Sequence, residues 1–489
     1  MDEILERKLH AFGANHVRVR SLRRVNTPAE SRLALIFLPT LPRFLRRFRA
    51  QERTKTAAYR HLSIEFFFFR PMTTHMNHPP QRHLSAHRAD FPSLKRLYHG
   101  LPLTYFDGPG GTQVPQAVIN AISSYYTTCN SNTHGSFITT QESDAIIQST
   151  REHLAVFFNA PSTRCISVGA NMTTLNFSVS KAIGRSMKEG DEVLITQLDH
   201  EANRGPWLAL KERGVVVREI VLKHDGTLDY EDMAAKINKR TRLLAMGLAS
   251  NALGTVNDVA RARELTTKVG AWLLLDAVHF APHFAIDVAE LDADFLLCSA
   301  YKFYGPHVGI LYSREGLLDE LEPDRLITQD QHAPYRIETG TLNHAALAGV
   351  KAAIEYIASL GVGTDLRSQL VSAFGTIGQH ERGLARFLYE ELKKIPGITV
   401  YGQPFGSSLR APTISFTTEG KRPEEVCSVL GEKGFCTWDG HFYAFRAIEV
   451  LGLLERGGVT RIGISFYNTH DEVSRLIDAM HAIAKEDKK

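Results

Sequence analysis

Residues 272–312 read WLLLDAVHFAPHFAIDVAELDADFLLCSAYKFYGPHVGILY, and this stretch decides the fold. An apolar run at 273–275 ends in Asp276, which is typical of a buried parallel strand that carries a carboxylate at its carboxyl end. A second apolar run, at 295–298, leads within a few residues to Lys302. Because α/β proteins keep their ligand sites at the carboxyl ends of parallel strands, we expect Asp276 and Lys302 to face one site.

An acid and an amine at two strand ends fit the chemistry of pyridoxal phosphate. A lysine forms a Schiff base with the aldehyde of this cofactor, and an aspartate keeps its pyridine nitrogen protonated so that the ring accepts electrons. Taken alone, Asp276 would more commonly be a salt-bridged or helix-capping residue, and Lys302 a solvated loop residue. Lys302 follows a buried run and lies among aromatic residues, glycine and proline, so the combined pattern favours the cofactor.

The chain from about Phe91 to its C-terminus resembles the class V aminotransferases, a group of fold-type I pyridoxal-phosphate enzymes, and especially the cysteine desulfurases and their relatives. The stretch quoted above and the ending TRIGISFYNTH at 460–470 carry this resemblance. It implies an α/β fold, with a large domain built on a mainly parallel sheet and a smaller α+β C-terminal domain. It also implies an amino-acid substrate and a homodimer with shared active sites.

A phosphate site is predicted at CISVGANMTTLNF, residues 165–177, where a strand, a loop and a helix follow one another. Free amides at a helix start point at an anion, although Thr173 and Thr174 could equally be simple caps. The resemblance assigns Asn171 and the backbone of Met172 to the phosphate. It implies phosphate contacts for Ser299 and Tyr301 as well, and for Thr341 from the partner subunit.

The resemblance also assigns contacts with the cofactor ring and the substrate. His200, in the run LDHEAN, would stack on the pyridine ring and relay a proton, but the neighbouring Asp199 and Glu201 depart from the family pattern and leave the proton role open. Asn251 and His279 would approach the phenolic oxygen. The substrate residues are Arg461, whose guanidinium would clamp an α-carboxylate, and His134, for which a solvated loop position is the common alternative.

Domain boundaries follow from the same comparison. Residues 1–90 are expected to be a basic extension that is disordered or not native, with Met72 or Met76 as an alternative start. Acids at the very beginning argue against an organelle transit peptide. The large domain is assigned to 91–345 and the small domain to 346–489.

Composition excludes several other classes of protein. A formal net charge of +4 over 489 residues gives no reason to expect nucleic acid or membrane as a partner. Five scattered cysteines without a C-x-x-C pair indicate neither a disulfide framework nor a metal site, and they fit a reducing, cytoplasmic location. The longest apolar runs are too short to cross a bilayer.

The stretch TWDGHFYAF, at 437–445, departs from the family pattern. Desulfurases of the more similar group carry a persulfide-forming cysteine just after a Gly-His pair, whereas here Phe442 and Tyr443 follow. Cys436 lies upstream, and we expect it to be a small core residue on a strand. Three functions stay open: a desulfurase-like lyase or transferase without a protein persulfide, an aminotransferase or epimerase, and a catalytically idle binding protein. Retention of the cofactor residues argues against the third.

Overall fold

The computed structural model describes residues 84–406 and 408–485 of the chain. Nearly all of the predicted basic extension lies outside these residues. Its last part, Leu84–Asp90, is a 3-10 helix packed on the folded body, with the Leu84 side chain buried. Arg88 forms an ion pair of 2.8 Å with Glu472, and the Tyr356 hydroxyl donates to Asp90 at 3.0 Å. The folded body therefore begins before residue 91.

The helices and strands alternate along most of the chain. The helices are α1 Gln116–Thr128, α2 Ile138–Phe158, α3 Met172–Ser186, α4 Gly205–Leu208, α5 Tyr230–Lys236, α6 Val259–Val269, α7 Leu317–Glu320, α8 His344–Ser359, α9 Leu366–Leu392, α10 Pro423–Glu432, α11 Phe445–Val450 and α12 His470–Lys485. The strands are β1 Leu97–Tyr98, β2 Leu101–Pro102, β3 Thr104–Tyr105, β4 Ile166–Gly169, β5 Glu192–Thr196, β6 Val216–Ile220, β7 Thr241–Gly247, β8 Trp272–Asp276, β9 Phe295–Ser299, β10 Gly309–Ser313, β11 Ile398–Tyr401, β12 Thr413–Thr418, β13 Phe435–Cys436, β14 Trp438–Gly440 and β15 Val459–Gly463.

A seven-stranded sheet forms the centre, in the order β4-β10-β9-β8-β7-β5-β6. The pairs from β9 to β6 are all parallel, whereas β10 runs antiparallel to both of its neighbours. Only residues 300–308 join β9 to β10, which is too short for the crossover that a parallel pair needs. The predicted mainly parallel sheet is confirmed.

Both faces of this sheet are covered, which explains its uninterrupted apolar runs. On β8, Leu273 and Leu275 join the hydrophobic core on one face, while Leu274 joins the core on the opposite face. Successive side chains of a strand point to opposite sides, so a strand buried on both faces is apolar at every position.

The smaller sheet is antiparallel, in the order β11-β12-β15-β14, and has a separate core that includes Ile414, Phe416 and Leu476. Helix α8 begins the predicted small domain, but its residues Val350 and Ile354 are buried in the core of the large sheet. The small-sheet core takes its first α9 residues only from Leu384 onward. In the described part of the chain, no helix combines the length and apolarity that a bilayer crossing requires.

Candidate active site

A cavity lies at the carboxyl ends of the central parallel strands, with an empty volume of about 680 Å³ including its open mouth. Asp276 ends β8, and Lys302 lies in the 3-10 turn Ala300–Lys302 that directly follows β9, the neighbouring strand. Nine of the residues assigned from the sequence line this one cavity: Asn171, Met172, His200, Asn251, Asp276, His279, Ser299, Tyr301 and Lys302. The fold therefore brings together residues that are spread over more than 130 positions of the chain.

Lys302 and Asp276 are both buried, and burial shifts their pKa values in opposite directions. Burial and the nearby charge of Arg461 together lower the pKa of Lys302 to about 7. Burial raises the pKa of Asp276 to about 6, although its carboxylate accepts the Val278 N–H at 2.9 Å and lies near Lys302. At neutral pH the lysine is thus partly in its nucleophilic, uncharged form, and Asp276 is mostly ionised.

The Lys302 ammonium contacts a turn from the N-terminal part of the chain. Its Nζ donates to the backbone oxygen of Pro109, and to that of Gly110 at 3.1 Å. It also lies 4.8 Å from the ring centre of Tyr301. The amine is therefore held at a defined position by carbonyl groups, which fits its burial.

His200 is neutral, and one tautomer is fixed by the backbone. Its Nδ1 accepts the N–H of Ala202 at 2.9 Å, so the hydrogen of the neutral ring lies on Nε2. Burial lowers the pKa of His200 to about 4, with help from the charges of Lys302 and Arg461. The ring of Tyr443 stacks on it, with centroids 5.3 Å apart. A proton relay through Nδ1 is blocked in this arrangement, because that nitrogen already accepts the Ala202 N–H.

At the predicted phosphate site, helix α3 begins at Met172, one residue earlier than its sequence indicates. The Asn171 side chain caps it by accepting the Thr174 N–H at 2.9 Å, and the Met172 N–H donates to the Ser299 hydroxyl at 3.0 Å. Gly309, at the start of β10, permits the backbone of Asn171 to pack closely against this strand, because a Cβ at Gly309 would lie 2.3 Å from the Asn171 carbonyl carbon. The Met172 amide, predicted to face phosphate, is thus already paired with Ser299.

Asn251 and His279 line the cavity, but their side chains already have protein partners. Asn251 Nδ2 donates to the backbone oxygen of Phe442 at 2.8 Å, and His279 Nε2 lies 2.9 Å from the Thr413 hydroxyl. The other nitrogen of His279, Nδ1, is buried and has no partner among the described residues. Burial lowers the pKa of His279 well below its ordinary value, so its ring is neutral.

Arg461, on β15, is buried behind the cavity wall. Its Nη2 donates to Asp107 Oδ1 at 2.6 Å, and its Nη1 donates to the backbone oxygen of Asn251 at 3.2 Å. The guanidinium carbon lies 4.0 Å from the ring centre of Phe442, which covers one face of the group. Asp107 is a partner of Arg461 that sequence reasoning missed, because the two residues are 354 positions apart.

Asp199 also lines the cavity, although sequence reasoning did not identify it as a site residue. It accepts the Gly247 N–H at 2.8 Å and the Asn203 side-chain amide at 3.1 Å. Burial raises the pKa of Asp199 to about 7, and the nearby Asp276 contributes to the increase. Its place three residues after the β5 run was a usable signal, because Asp276 was identified by the same rule.

Thr341 and His134 do not reach this cavity. Both line a separate groove together with Tyr335 and His344. The His134 side chain is 88% exposed and lies 3.6 Å from Asp144. Contacts of these two residues with the cavity therefore require a second subunit, as the sequence prediction for Thr341 states.

The residues present fit pyridoxal phosphate. A buried, partly neutral lysine and a buried carboxylate lie on one cavity, the N-terminus of α3 opens onto it, and the unpaired Nδ1 of His279 leaves a polar position to satisfy. This combination defines a pyridoxal-phosphate site of fold type I.

Comparisons with known proteins agree with the geometry. The family model Aminotransferase class-V matches residues 104–476, so the chain belongs to that family and depends on pyridoxal phosphate, as predicted. Cysteine desulfurase from Salmonella agona (strain SL483) is 34% identical over 412 residues, which cover 81% of this chain and 97% of the relative.

Solved structures give the same result. The apo cysteine desulfurase from Thermococcus onnurineus NA1 has a TM-score of 0.74 and 26% identity over 83% of this chain and 98% of its own. The cysteine desulfurase CsdA from Escherichia coli, in its S-sulfonic acid form, has a TM-score of 0.72 and 27% identity over 82% and 98%. The predicted resemblance to the cysteine desulfurases is confirmed.

Uptake of pyridoxal phosphate should depend on pH through Lys302. Only the uncharged amine attacks an aldehyde, so the rate of uptake by cofactor-free protein should rise about tenfold per pH unit below pH 7 and level off above it. Stopped-flow absorbance measures this rate, with free Nα-acetyl-lysine as the control. A protein rate that kept rising in parallel with the control up to pH 9 would show that burial does not lower the pKa of Lys302.

Proposed function

We propose that this protein is a carbon–sulfur lyase that acts on cysteine, in the manner of a cysteine desulfurase but without a persulfide on the protein. The observation that carries the proposal is the composition and packing of residues 440–445. This segment, which we call the aromatic loop, has Phe442 and Tyr443 after Gly440 and His441, where the resemblance to the desulfurases implies a thiol.

The aromatic loop is held against the cavity by backbone contacts. The carbonyl of Phe442 accepts from the side chain of Asn251 at 2.8 Å, and that of Tyr443 accepts from the Glu201 N–H at 2.7 Å. Phe442 and Tyr443 have φ values of 53° and 59°, a left-handed conformation that costs roughly 1–3 kcal/mol for each residue. The loop is thus a fixed cap over His200 and Arg461, which does not suit a thiol carrier that must move.

The cysteines of the chain are poor substitutes for a loop thiol. All five are buried or half-buried, and burial raises the pKa of Cys436 and raises that of Cys427 to about 11. Cys436 lies on β13, paired with Tyr105 of β3. Because the thiolate is the nucleophile, a raised pKa on a packed strand disfavours attack on a substrate sulfur.

Each site residue has a role in this reaction. When bound, pyridoxal phosphate supplies an electron sink for the carbanion at the substrate α-carbon. Asp276 would hold the pyridine nitrogen protonated, and Arg461 would bind the substrate carboxylate. Lys302 would hold the cofactor at its aldehyde and, as a free amine, would take the α-proton.

The overall reaction balances without an oxidant. Cysteine and water give pyruvate, ammonia and hydrogen sulfide, and the sulfur leaves as sulfide with the electrons of the broken carbon–sulfur bond. A true desulfurase reaction gives alanine and transfers sulfur to a thiol acceptor instead. The sulfide outcome therefore follows from the absence of a suitable acceptor at the aromatic loop.

A homodimer completes the proposed site. Thr341 and His134 share a groove outside the cavity with Leu326, which is 58% exposed, and the adjacent Ile327 is 96% exposed. Exposed apolar residues beside a groove are typical of an interface. In this arrangement, Thr341 approaches the partner's phosphate and His134 approaches its substrate. Sedimentation of the cofactor-loaded protein tests the dimer.

The decisive experiment separates the products. Loaded protein incubated with cysteine should release pyruvate and sulfide in equal amounts, with little alanine. Equal amounts of alanine and protein-bound sulfur would contradict the lyase, whereas a ketoacid without sulfide would indicate an aminotransferase.

The variant Cys436→Ser should retain most of the activity with cysteine, within about twofold, because its thiol is packed and mostly un-ionised. Mass spectrometry of alkylated wild-type protein after turnover should show no added sulfur. Cys298→Ser, at a fully buried position, serves as a control for general effects of removing a thiol. A mass increase of one sulfur on Cys436, lost together with activity in the variant, would restore a persulfide mechanism.

A further inference from the structure

The guanidinium of Arg461 is already occupied in this structure. Asp107 accepts from Nη2 at 2.6 Å, the backbone of Asn251 accepts from Nη1 at 3.2 Å, and Phe442 covers one face at 4.0 Å. Only Nε is without a partner among the described residues. Two of the five N–H groups of this guanidinium are therefore engaged, and a carboxylate that binds the remaining ones lies beside the Asp107 carboxylate.

Asp107 is the only charged group among these partners. Both side chains of the pair are almost fully buried, with exposures of 3% for Arg461 and 7% for Asp107. Their opposite charges therefore interact with little screening by water. A substrate carboxylate that approaches Arg461 meets the negative charge of Asp107 at close range, and two carboxylates on one guanidinium repel each other.

The geometry points to Asp107 as an internal competitor for Arg461, which the α-carboxylate of the substrate displaces. This inference rests on the proposed role of Arg461 in the lyase. Asp107 is in this sense a residue that sets the affinity for carboxylates: a carboxylate has to compete with it for Arg461 and therefore binds less tightly, whereas a ligand without a carboxylate does not compete with it. Ligands without a carboxylate leave the ion pair between Asp107 and Arg461 intact.

The turn that carries Asp107 also contacts Lys302, so displacement of Asp107 by a substrate carboxylate affects the surroundings of this lysine. The amides of Gly110 and Gly111 donate to the Asp107 backbone oxygen at 3.0 and 3.2 Å. At Gly110 a Cβ would lie 2.1 Å from the Asp107 carboxylate, so glycine lets the side chain fold over its own turn. The same turn offers the Pro109 and Gly110 carbonyls to Lys302. Displacement of Asp107 therefore disturbs the acceptors that hold the free Lys302 amine.

The variant Asp107→Asn tests the inference, because it keeps the shape and an oxygen acceptor but removes the charge. The probe is 3-mercaptopropionate, which has the skeleton and thiol of cysteine but no amino group to react with the cofactor. Its amide, 3-mercaptopropionamide, is the matched ligand without a carboxylate. Calorimetry with cofactor-loaded full-length protein should give a Kd for the carboxylate about tenfold lower than in the wild type, and an unchanged Kd for the amide.

Two controls make the result specific. Glu192→Gln removes a buried carboxylate that pairs with Arg218 and Arg240 away from the cavity, and it should change neither Kd. A crystal structure of the wild type with 3-mercaptopropionate should show Asp107 more than about 4 Å from Arg461, beyond ion-pair distance, and this measurement stands even if Asp107→Asn fails to fold.

The outcomes are distinguishable. Weaker or unchanged binding of the carboxylate by Asp107→Asn, or a ligand bound on Nε while Asp107 stays in place, would overturn the competitor role. If Arg461→Lys also binds the carboxylate like the wild type, the proposed function of Arg461 fails instead. Tightening that is equal for the carboxylate and the amide would show a change in the whole pocket and would also overturn the inference.

Discussion

Lys302→Ala should lose the covalent attachment of pyridoxal phosphate and lower turnover by roughly a thousandfold, because both attachment and proton transfer at the α-carbon depend on this amine. Lys302 is buried at the end of β9 beside Asp276, and no other lysine lines the cavity in the described residues. Wild-type protein should be yellow, and reduction with borohydride should fix the cofactor on the tryptic peptide that contains Lys302.

The matched control for this prediction is Lys268→Ala. Lys268 is exposed on α6 and pairs with Glu264 one turn away, so its removal should leave colour and activity unchanged. Exogenous methylamine supplies a small free amine and should restore part of the activity of Lys302→Ala. A reduced adduct on any other lysine, or full activity in the Lys302 variant, would remove this residue from the centre of the site.

Arg461→Lys should weaken the binding of amino acids by roughly 1.5–3 kcal/mol, which is about 10- to 150-fold in Kd. Lysine keeps the positive charge that neutralises the buried Asp107, but it loses the planar fork that binds a carboxylate at two points. Cofactor colour should stay intact, since Arg461 is not part of the cavity wall around Lys302. Titration of the cofactor absorbance with cysteine measures the change.

Arg461→Gln is the informative contrast. It leaves Asp107 buried without its counter-charge, and breaking a buried ion pair in this way costs about 3–5 kcal/mol of folding stability. We therefore expect a lower melting temperature for Arg461→Gln than for Arg461→Lys, although both bind amino acids poorly. Unchanged affinity in Arg461→Lys would place the carboxylate site elsewhere.

Sequence reasoning located the strand ends correctly because that information is local. Apolar runs over four or five residues, followed by a polar residue, identify buried strands such as β8 and β9 and the side chains they deliver. The orientation of β10 also follows from local information, since the connection before it is short. The exact start of α3 did not follow, because its cap depends on Asn171 rather than on the threonines after it.

Local sequence patterns did not predict hydrogen-bond partners that are far apart in the chain. Asn251 lines the cavity, but its side-chain amide donates to the backbone oxygen of Phe442, which is 191 positions away. His200 lines the cavity, and its neutral state follows from burial, which no local pattern of residues shows. The pKa of a side chain depends on desolvation and on charges that only the packed structure brings near.

The sequence by itself determined the family, the cofactor, the mainly parallel sheet and nine of the nineteen residues that line the cavity, because each of these depends on short stretches of characteristic composition. Only the tertiary structure showed that Arg461 is paired with Asp107, 354 positions away, and that the aromatic loop is folded onto His200 and Arg461. These contacts join the N-terminal turn, the large sheet and the small sheet. They form only after long-range packing excludes water, which makes a buried carboxylate and guanidinium dependent on each other.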